Sequence, residues 1–273
     1  MGSCITTSDE KLVPGATDVE IIMFIQKIDP LDLIVFKGDS TFSKVIAKLE
    51  KFQTGSGEIS HVEVAINQHW CSRVKSDTDT DFCLSWGSTL STGDAPNVET
   101  GEVACGVQIR SMSSVIKGYL SHPGTNVGLC KLLRNPIFRR EGETTRCYDQ
   151  RVGKLRASLD SAYDDYNGLK YNANPIALLG SVFPQLRPIR EKVDVVLDKV
   201  GSANDWLFCS EFVALLYQRV GVIDDSTNGA KDGHTMDAKD VLPVDFLGYD
   251  ADSDGLVNPI CQSPPLWLVT DKC

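Results

Sequence analysis

A cysteine at the start of an apolar helix is the feature that most constrains how this chain folds. The residues after Cys209 have helical spacing: Phe212, Val213, Leu215, Leu216 and Val220. We expect the helix to be capped at Ser202, Asn204 or Asp205, which places Cys209 within about two turns of its start. The amide N–H groups and dipole there stabilise a thiolate. Cys209 is therefore a candidate nucleophile, although most buried cysteines only fill a core.

A histidine on a predicted strand is the partner that such a thiol needs. The segment Ser60–Asn67 alternates aliphatic residues with others, which predicts a strand with His61 opposite its aliphatic row. The remaining histidines lie in turn-like or loop-like segments: His69, His122 and His234. His61 is the candidate general base, although a histidine taken alone is more often structural.

The order of these motifs resembles one group of enzymes. A strand-like run, Asp29–Gly38, is followed by Ser60-His61-Val62 and much later by Phe208–Val213. A histidine strand before a cysteine helix resembles the circularly permuted papain-fold enzymes, the NlpC-like amidases with lecithin retinol acyltransferase as a lipid-directed relative. Two more segments match within roughly residues 29 to 247, Asp165–Asn172 and Leu242–Phe246. The resemblance implies an α+β fold: a small antiparallel β-barrel or sheet packed against helices, with the nucleophile on a late helix.

The third polar residue of that family is missing from its expected position. In the family it is commonly a glutamate on the strand after the histidine strand, where it holds the imidazole in the useful tautomer. The matching segment here is Phe82–Leu90, and Gly87 stands at that position. Ser85, Ser88 and Glu63 are the candidate orienting groups. Two alternatives therefore stay open, a cysteine enzyme and a catalytically degenerate module that binds lipid or a protein partner.

The resemblance implies acyl transfer through a thioester on Cys209. The thiolate attacks an amide, ester or thioester carbonyl, and His61 acts as base and then as acid. Backbone N–H groups of Cys209 and Ser210 bind the oxyanion, and Tyr171 and Trp206 line the substrate pocket. Water as acceptor makes a hydrolase, and an alcohol or amine makes an acyltransferase. The lipid or peptide nature of the substrate stays open, and a thiol protease or deubiquitinase-like enzyme is a third alternative.

The first residues match a lipidation pattern. Gly2 and Thr6 fit N-myristoylation, and Cys4 is a palmitoylation candidate. One myristoyl chain binds a membrane weakly, so a second acyl chain is what gives stable anchoring. We expect residues 1–17 to form a flexible lipidated tail and residues 18–273 a single domain. The expected location is the cytoplasmic face of a membrane, or a host-cell or virion membrane if the source is a large virus; a eukaryotic source is equally compatible.

Charge and composition exclude several classes of function. A net charge of −10 without a basic stripe excludes nucleic-acid binding. No apolar run approaches the roughly 18 residues of a membrane-spanning helix. The 9 cysteines form no CxxC pair and no zinc spacing, so we expect free thiols in a reducing compartment, without metal or cofactor. The Asp250–Gly255 run copies the start of a calcium loop, but Cys261 replaces its final glutamate, which favours a surface turn. The oligomeric state stays open.

Hydrophobic periodicity predicts mixed strands and helices. Strands are expected at Ser60–Asn67, Phe82–Trp86, Gly106–Arg110 and Asn126–Leu133, the last of which completes a small antiparallel barrel. Helices are expected at Ser40–Phe52, Arg146–Tyr166 and Lys192–Val200, ahead of the Cys209 helix.

Overall fold

A six-stranded antiparallel sheet organises the fold. The computed structural model describes residues 11–38, 59–75, 83–90, 95–132, 135–171 and 206–223. The strands of the sheet are β1 (Lys11–Leu12), β2 (Leu33–Lys37), β3 (His61–Ile66), β4 (Leu84–Thr89), β5 (Gly106–Ser111) and β6 (Asn126–Cys130). Their order across the sheet is β1-β6-β2-β3-β4-β5, which places the histidine strand between β2 and β4.

Helices and a short parallel strand pair complete the described part of the chain. The helices are α1 (Asp18–Ile25), α2 (Met112–Leu120), α3 (Thr145–Tyr166) and α4 (Cys209–Arg219). The strand pair consists of β7 (Lys170–Tyr171) and β8 (Trp206–Leu207). Thr17 and Glu20 form a capping box at α1, and Thr144 caps α3, so the first turns of both helices have hydrogen-bond partners.

Each face of the sheet has its own apolar core. Because side chains alternate along a strand, Val62 and Val64 of β3 pack in a cluster that includes residues of α3 and α4. Ala65 packs in a second cluster with residues of α1 and α2. All six residues of β3 are buried. Polar side chains on this strand therefore lie inside the protein and need partners there.

The four predicted strands are confirmed to within three residues at each end, but the predicted barrel is wrong. The sheet is open, with β1 and β5 as its two edges. The first edge strand, β1, has only two residues. At the other edge β5 makes a single bridge, between Arg110 and Asn97, and no further strand pairs there in the described part. The two edges therefore do not meet.

The cysteine helix begins later than the sequence predicts. Phe208 is its N-cap and Cys209 its first helical residue, so the caps predicted at Ser202, Asn204 or Asp205 are wrong. The cause is a tertiary contact: β8 is held extended against β7 immediately before the helix. Cys209 consequently lies at the very start of α4, closer to the unpaired N–H groups than predicted.

Part of the predicted flexible tail belongs to the sheet. Lys11 and Leu12 pair with β6. The lipidation candidates Gly2 and Cys4 lie outside the described residues. So do four other predicted features: Ser40–Phe52, Lys192–Val200, Leu242–Phe246 and Asp250–Gly255.

Most described cysteines are thiols. The free ones are Cys71, Cys83, Cys105, Cys130 and Cys209. Cys147, in the first turn of α3, is disulfide-bonded, so the expectation of free thiols is wrong at this residue.

Gly106 lets the chain after α3 lie directly on β5. The Val107 N–H donates to the Leu169 carbonyl at 2.7 Å, and the Gly168 N–H donates to the Val107 carbonyl at 2.8 Å. Gly106 has a φ of +121°, and a Cβ there would lie 2.1 Å from the Leu169 oxygen. The contact fixes the start of β7, which pairs with β8 immediately before Cys209. A glycine on the sheet therefore helps to position the nucleophile helix.

We predict that Gly106→Ala lowers the free energy of unfolding by about 2 kcal/mol or more, because the new methyl group overlaps a backbone carbonyl and the φ is unfavourable. Gly153→Ala is the matched control, since an added Cβ on this exposed part of α3 meets nothing within 4 Å. It should be neutral or stabilise by up to about 1 kcal/mol. Urea unfolding measures both variants, and equal stabilities would contradict the close approach.

Candidate active site

Cys209 occupies the first position of α4, where a helix stabilises negative charge. Its N-cap, Phe208, has no side-chain acceptor, and the Glu211 carboxylate accepts a hydrogen bond from the Phe208 N–H at 3.3 Å. Cys209 is only 2% exposed. A helix start favours a reactive thiol, whereas burial opposes one, so the groups around Cys209 decide between the two.

His61 meets this thiol at the start of β3. Its side chain interacts with the Cys209 side chain, which raises the pKa of the imidazole, and the residue is 7% exposed. The imidazole stacks on Tyr119 with a centroid separation of 6.0 Å and lies 5.6 Å from the Phe36 ring. The structure thus brings together the two residues that the sequence analysis paired.

Glu63 forms the other side of the histidine contact. Its Oε1 lies 2.7 Å from His61 Nε2, and the same oxygen accepts a hydrogen bond from Arg110 Nη2. Its Oε2 accepts a hydrogen bond from Ser85 Oγ. Glu63 and Ser85 are fully buried, and Arg110 nearly so. Because Nε2 is taken by the carboxylate, Nδ1 is the ring nitrogen left for the thiol.

The charges of this cluster support one another. Burial alone would lower the pKa of His61, but the Cys209 side chain and the Glu63 carboxylate outweigh burial and raise it to about 9. Burial alone would raise the pKa of Glu63, but Arg110, His61 and Ser85 outweigh burial and lower it to about 2. At neutral pH the imidazole is therefore protonated and the carboxylate ionised.

The two shifts also set how the cluster stabilises the fold at different pH. The raised pKa of His61 stabilises the folded state fully below about 6.5, and this contribution is lost as pH rises through about 9. The lowered pKa of Glu63 stabilises it above about 4.5, and this contribution is lost as pH falls through about 2. Both contributions are complete between these windows, from about pH 4.5 to 6.5.

The other predicted site residues have different positions. Tyr171 is close to the thiol: it is 6% exposed, packs edge-on against Phe208 at 6.0 Å, and its pKa is raised by burial and then by the Cys209 thiolate. Ser88 donates instead to the Leu207 carbonyl at 2.6 Å, which ties β4 to β8. Ser88 is therefore not the orienting group, while Ser85 contacts histidine only through the carboxylate. The side chain of Trp206 lies outside the described part of the structure.

Two residues of the site were missed by sequence reasoning. Arg110 ends the alternating segment Gly106–Arg110, and a cation at a buried strand position is a signal that a buried anion lies nearby. Tyr119, on α2, gave no signal, because its contact with His61 depends on how the helix packs on the sheet.

Comparisons with known proteins assign no role to the site. No family model, curated protein or solved structure matches it. Among the described residues, no group of three or more His, Cys, Asp or Glu side chains is arranged to hold a metal ion.

We predict that Arg110→Ala lowers the free energy of unfolding by about 3–5 kcal/mol, because it leaves the Glu63 carboxylate buried without its cation. Arg73→Ala is the matched control: it also removes an arginine–carboxylate ion pair, with Asp164 at 2.9 Å, but both side chains are about half exposed. That variant should lose about 0–1 kcal/mol. Urea unfolding near pH 6 tests both, and similar losses would contradict the buried ion pair.

Proposed function

We propose that this protein is a cysteine acyl hydrolase or acyltransferase with a permuted papain-like fold. The observation that carries the proposal is the placement of His61, held by Glu63 at 2.7 Å, where it interacts with the buried Cys209 side chain at the start of a helix. A thiol beside a base that is itself oriented by a third group is the arrangement of nucleophilic catalysis. The histidine strand precedes the cysteine helix in the sequence, and this order is the reason for proposing a permuted papain-like fold.

The proposed reaction begins with the thiolate of Cys209 and the imidazolium of His61. Sγ forms a bond to the carbonyl carbon of an amide, ester or thioester, and the carbonyl oxygen becomes an oxyanion. The N–H groups of Cys209 and Ser210 stabilise it. As the intermediate collapses, His61 gives its proton to the leaving amine, alcohol or thiol, and a thioester remains. His61 then takes a proton from the incoming water, alcohol or amine, which attacks the thioester carbonyl; the C–S bond breaks, the acyl product leaves, and the thiolate and imidazolium are restored.

The surroundings of the thiol favour an apolar acyl group. Tyr171 and Phe208 place aromatic rings beside the cysteine, and both residues are about 6% exposed. Aromatic walls bind apolar chains better than charged ones. A lipid or a peptide with an apolar residue at the cleaved bond is the substrate class that these rings favour.

The rival proposal, a degenerate module that binds lipid or protein, depended on the missing acid at Gly87. Glu63 contacts His61 Nε2 at 2.7 Å, so the absence of a carboxylate at position 87 no longer favours inactivity. Protease or deubiquitinase-like activity remains a special case of the same thioester chemistry, with a peptide or isopeptide as substrate.

Membrane attachment is a second part of the proposal. It rests on Gly2, Cys4 and Thr6 at the start of the sequence, which fit dual acylation. No helix in the described residues is both long and apolar enough to cross a bilayer. The proposed means of attachment is acylation at Gly2 and Cys4, at the cytoplasmic face of a cellular membrane or at a virion membrane.

We predict that iodoacetamide alkylates Cys209 at pH 6 faster than the exposed thiol of Cys105, despite the burial of Cys209. The imidazole of His61 beside the thiol assists its reaction as a nucleophile, and Cys105 has no such base in the proposed mechanism. His61→Ala should lower the rate at Cys209 by about tenfold or more and leave Cys105 unchanged. Peptide mass mapping measures both rates in one sample. An equal rate of Cys209 labelling in wild type and His61→Ala would contradict the proposed enzyme and favour the binding module.

A separate prediction tests the anchor. In eukaryotic cells, Gly2→Ala should move most of the protein from the membrane fraction to the supernatant. Stable anchoring needs two acyl chains, and this variant loses the myristoyl chain on which dual acylation depends. Cys4→Ser should give a weaker, reversible association. Fractionation with metabolic labelling by an alkyne myristate analogue distinguishes the two. Full membrane retention of both variants would contradict acylation at these residues.

A further inference from the structure

Glu63 and Gly87 share one small volume between β3 and β4. The register pairs Val64 with Trp86, and Glu63 and Gly87 are the next residues beyond that pair. A Cβ added to Gly87 would lie 2.6 Å from Cγ and 2.9 Å from Cδ of Glu63. Separations under 3 Å between such atoms require one side chain to move. The Glu63 side chain therefore occupies its present place only because residue 87 has no side chain.

We propose that Glu63 is the positioning residue for His61 and that Gly87 is its obligate partner, because only a residue without a side chain at position 87 leaves room for the carboxylate. This inference rests on the proposed function and deepens it, because it names the group that orients the base. The resemblance to permuted papain-like enzymes expected an acid at position 87. The geometry places a carboxylate at the same spot from the opposite strand.

The carboxylate is held in this place by three donors. Oε1 accepts hydrogen bonds from His61 Nε2 and Arg110 Nη2, and Oε2 accepts one from Ser85 Oγ. With both oxygens engaged, the carboxylate cannot rotate away from the imidazole. The contact fixes His61 with Nδ1 toward Cys209, which is the orientation that the thiol needs. Arg110 keeps the carboxylate charged, and it is a positioning residue for Glu63 in turn.

The shared volume also predicts that the acid can be moved back. In a glutamate the carboxyl carbon lies about 2.5 Å from Cβ, the span of two carbon–carbon bonds. A glutamate at position 87 can therefore place its carboxyl carbon close to the present Cδ of Glu63, which is 2.9 Å from the new Cβ. An aspartate spans only one bond, about 1.5 Å, and falls short. The exchange is thus specific for glutamate.

The experiment compares Glu63→Gly, Gly87→Glu, the double exchange Glu63→Gly/Gly87→Glu, and the double variant with aspartate at position 87. Two readouts are used on the full chain. One is the iodoacetamide rate at Cys209, and the other is the titration of the His61 ring followed by NMR. Thermal unfolding establishes that each variant is folded, and Glu63→Gln supplies an isosteric variant in case Glu63→Gly does not fold.

The expected results form a non-additive cycle. Glu63→Gly should lower the Cys209 rate about tenfold or more, and the titration midpoint of His61 should fall from about 9 by about one pH unit or more. Gly87→Glu alone should lower Tm by about 5 °C or more, because two side chains and two negative charges compete for one site. The double exchange should restore the rate to within about threefold of wild type and restore the midpoint, whereas the aspartate version should restore less.

Two results would overturn the inference. One is a Glu63→Gly or Glu63→Gln variant with wild-type rate and midpoint. The other is a folded double exchange that behaves like Glu63→Gly. Failure of the proposed function is recognised separately: it appears as a wild-type Cys209 that shows no dependence on His61. In that case a His61 midpoint that follows the carboxylate from position 63 to position 87 would still support the carboxylate exchange.

Discussion

The buried carboxylate of Glu63 is the constraint on which the rest of the site depends. A fully buried anion destabilises a fold unless cations and hydrogen-bond donors surround it. Here Arg110, His61 and Ser85 all donate to it, from β5, β3 and β4. The strand order places these three strands side by side, so the sheet builds the polar cluster and the cluster in turn fixes the register of the sheet.

The nucleophile is positioned by a second set of contacts, which the chain after α3 makes with the sheet and with β8. The chain after α3 approaches β5 closely because Gly106 has no side chain, and β7 then holds β8 extended up to Phe208. The helix can begin only at Cys209, which places the thiol at the first position of α4 and against His61. Two glycines at close approaches, Gly106 and Gly87, therefore determine where the cysteine and the acid can lie.

Local patterns in the sequence predicted part of this arrangement. Alternation revealed β3 with His61, and helical spacing after Cys209 revealed α4. The predicted start of that helix was wrong because the true start depends on the pairing of β7 with β8. The predicted barrel was wrong because closure of a sheet depends on contacts between its edge strands, which local patterns do not reveal. The clearest limit is Gly87. The glycine at this sequence position indicated a missing acid, whereas the structure shows the Glu63 carboxylate next to Gly87 across β3 and β4. This contact depends on the register between two strands, so the sequence of either strand alone does not predict it.

The central claim is that Cys209 forms a covalent acyl intermediate with the help of His61. The most direct measurement is intact-protein and peptide mass spectrometry after brief exposure to a p-nitrophenyl ester of a medium-chain fatty acid. The account predicts one acyl group per chain on Cys209, released by hydroxylamine, and its loss in His61→Ala. Acylation that is spread over exposed thiols such as Cys105, or that persists at Cys209 without His61, would contradict it.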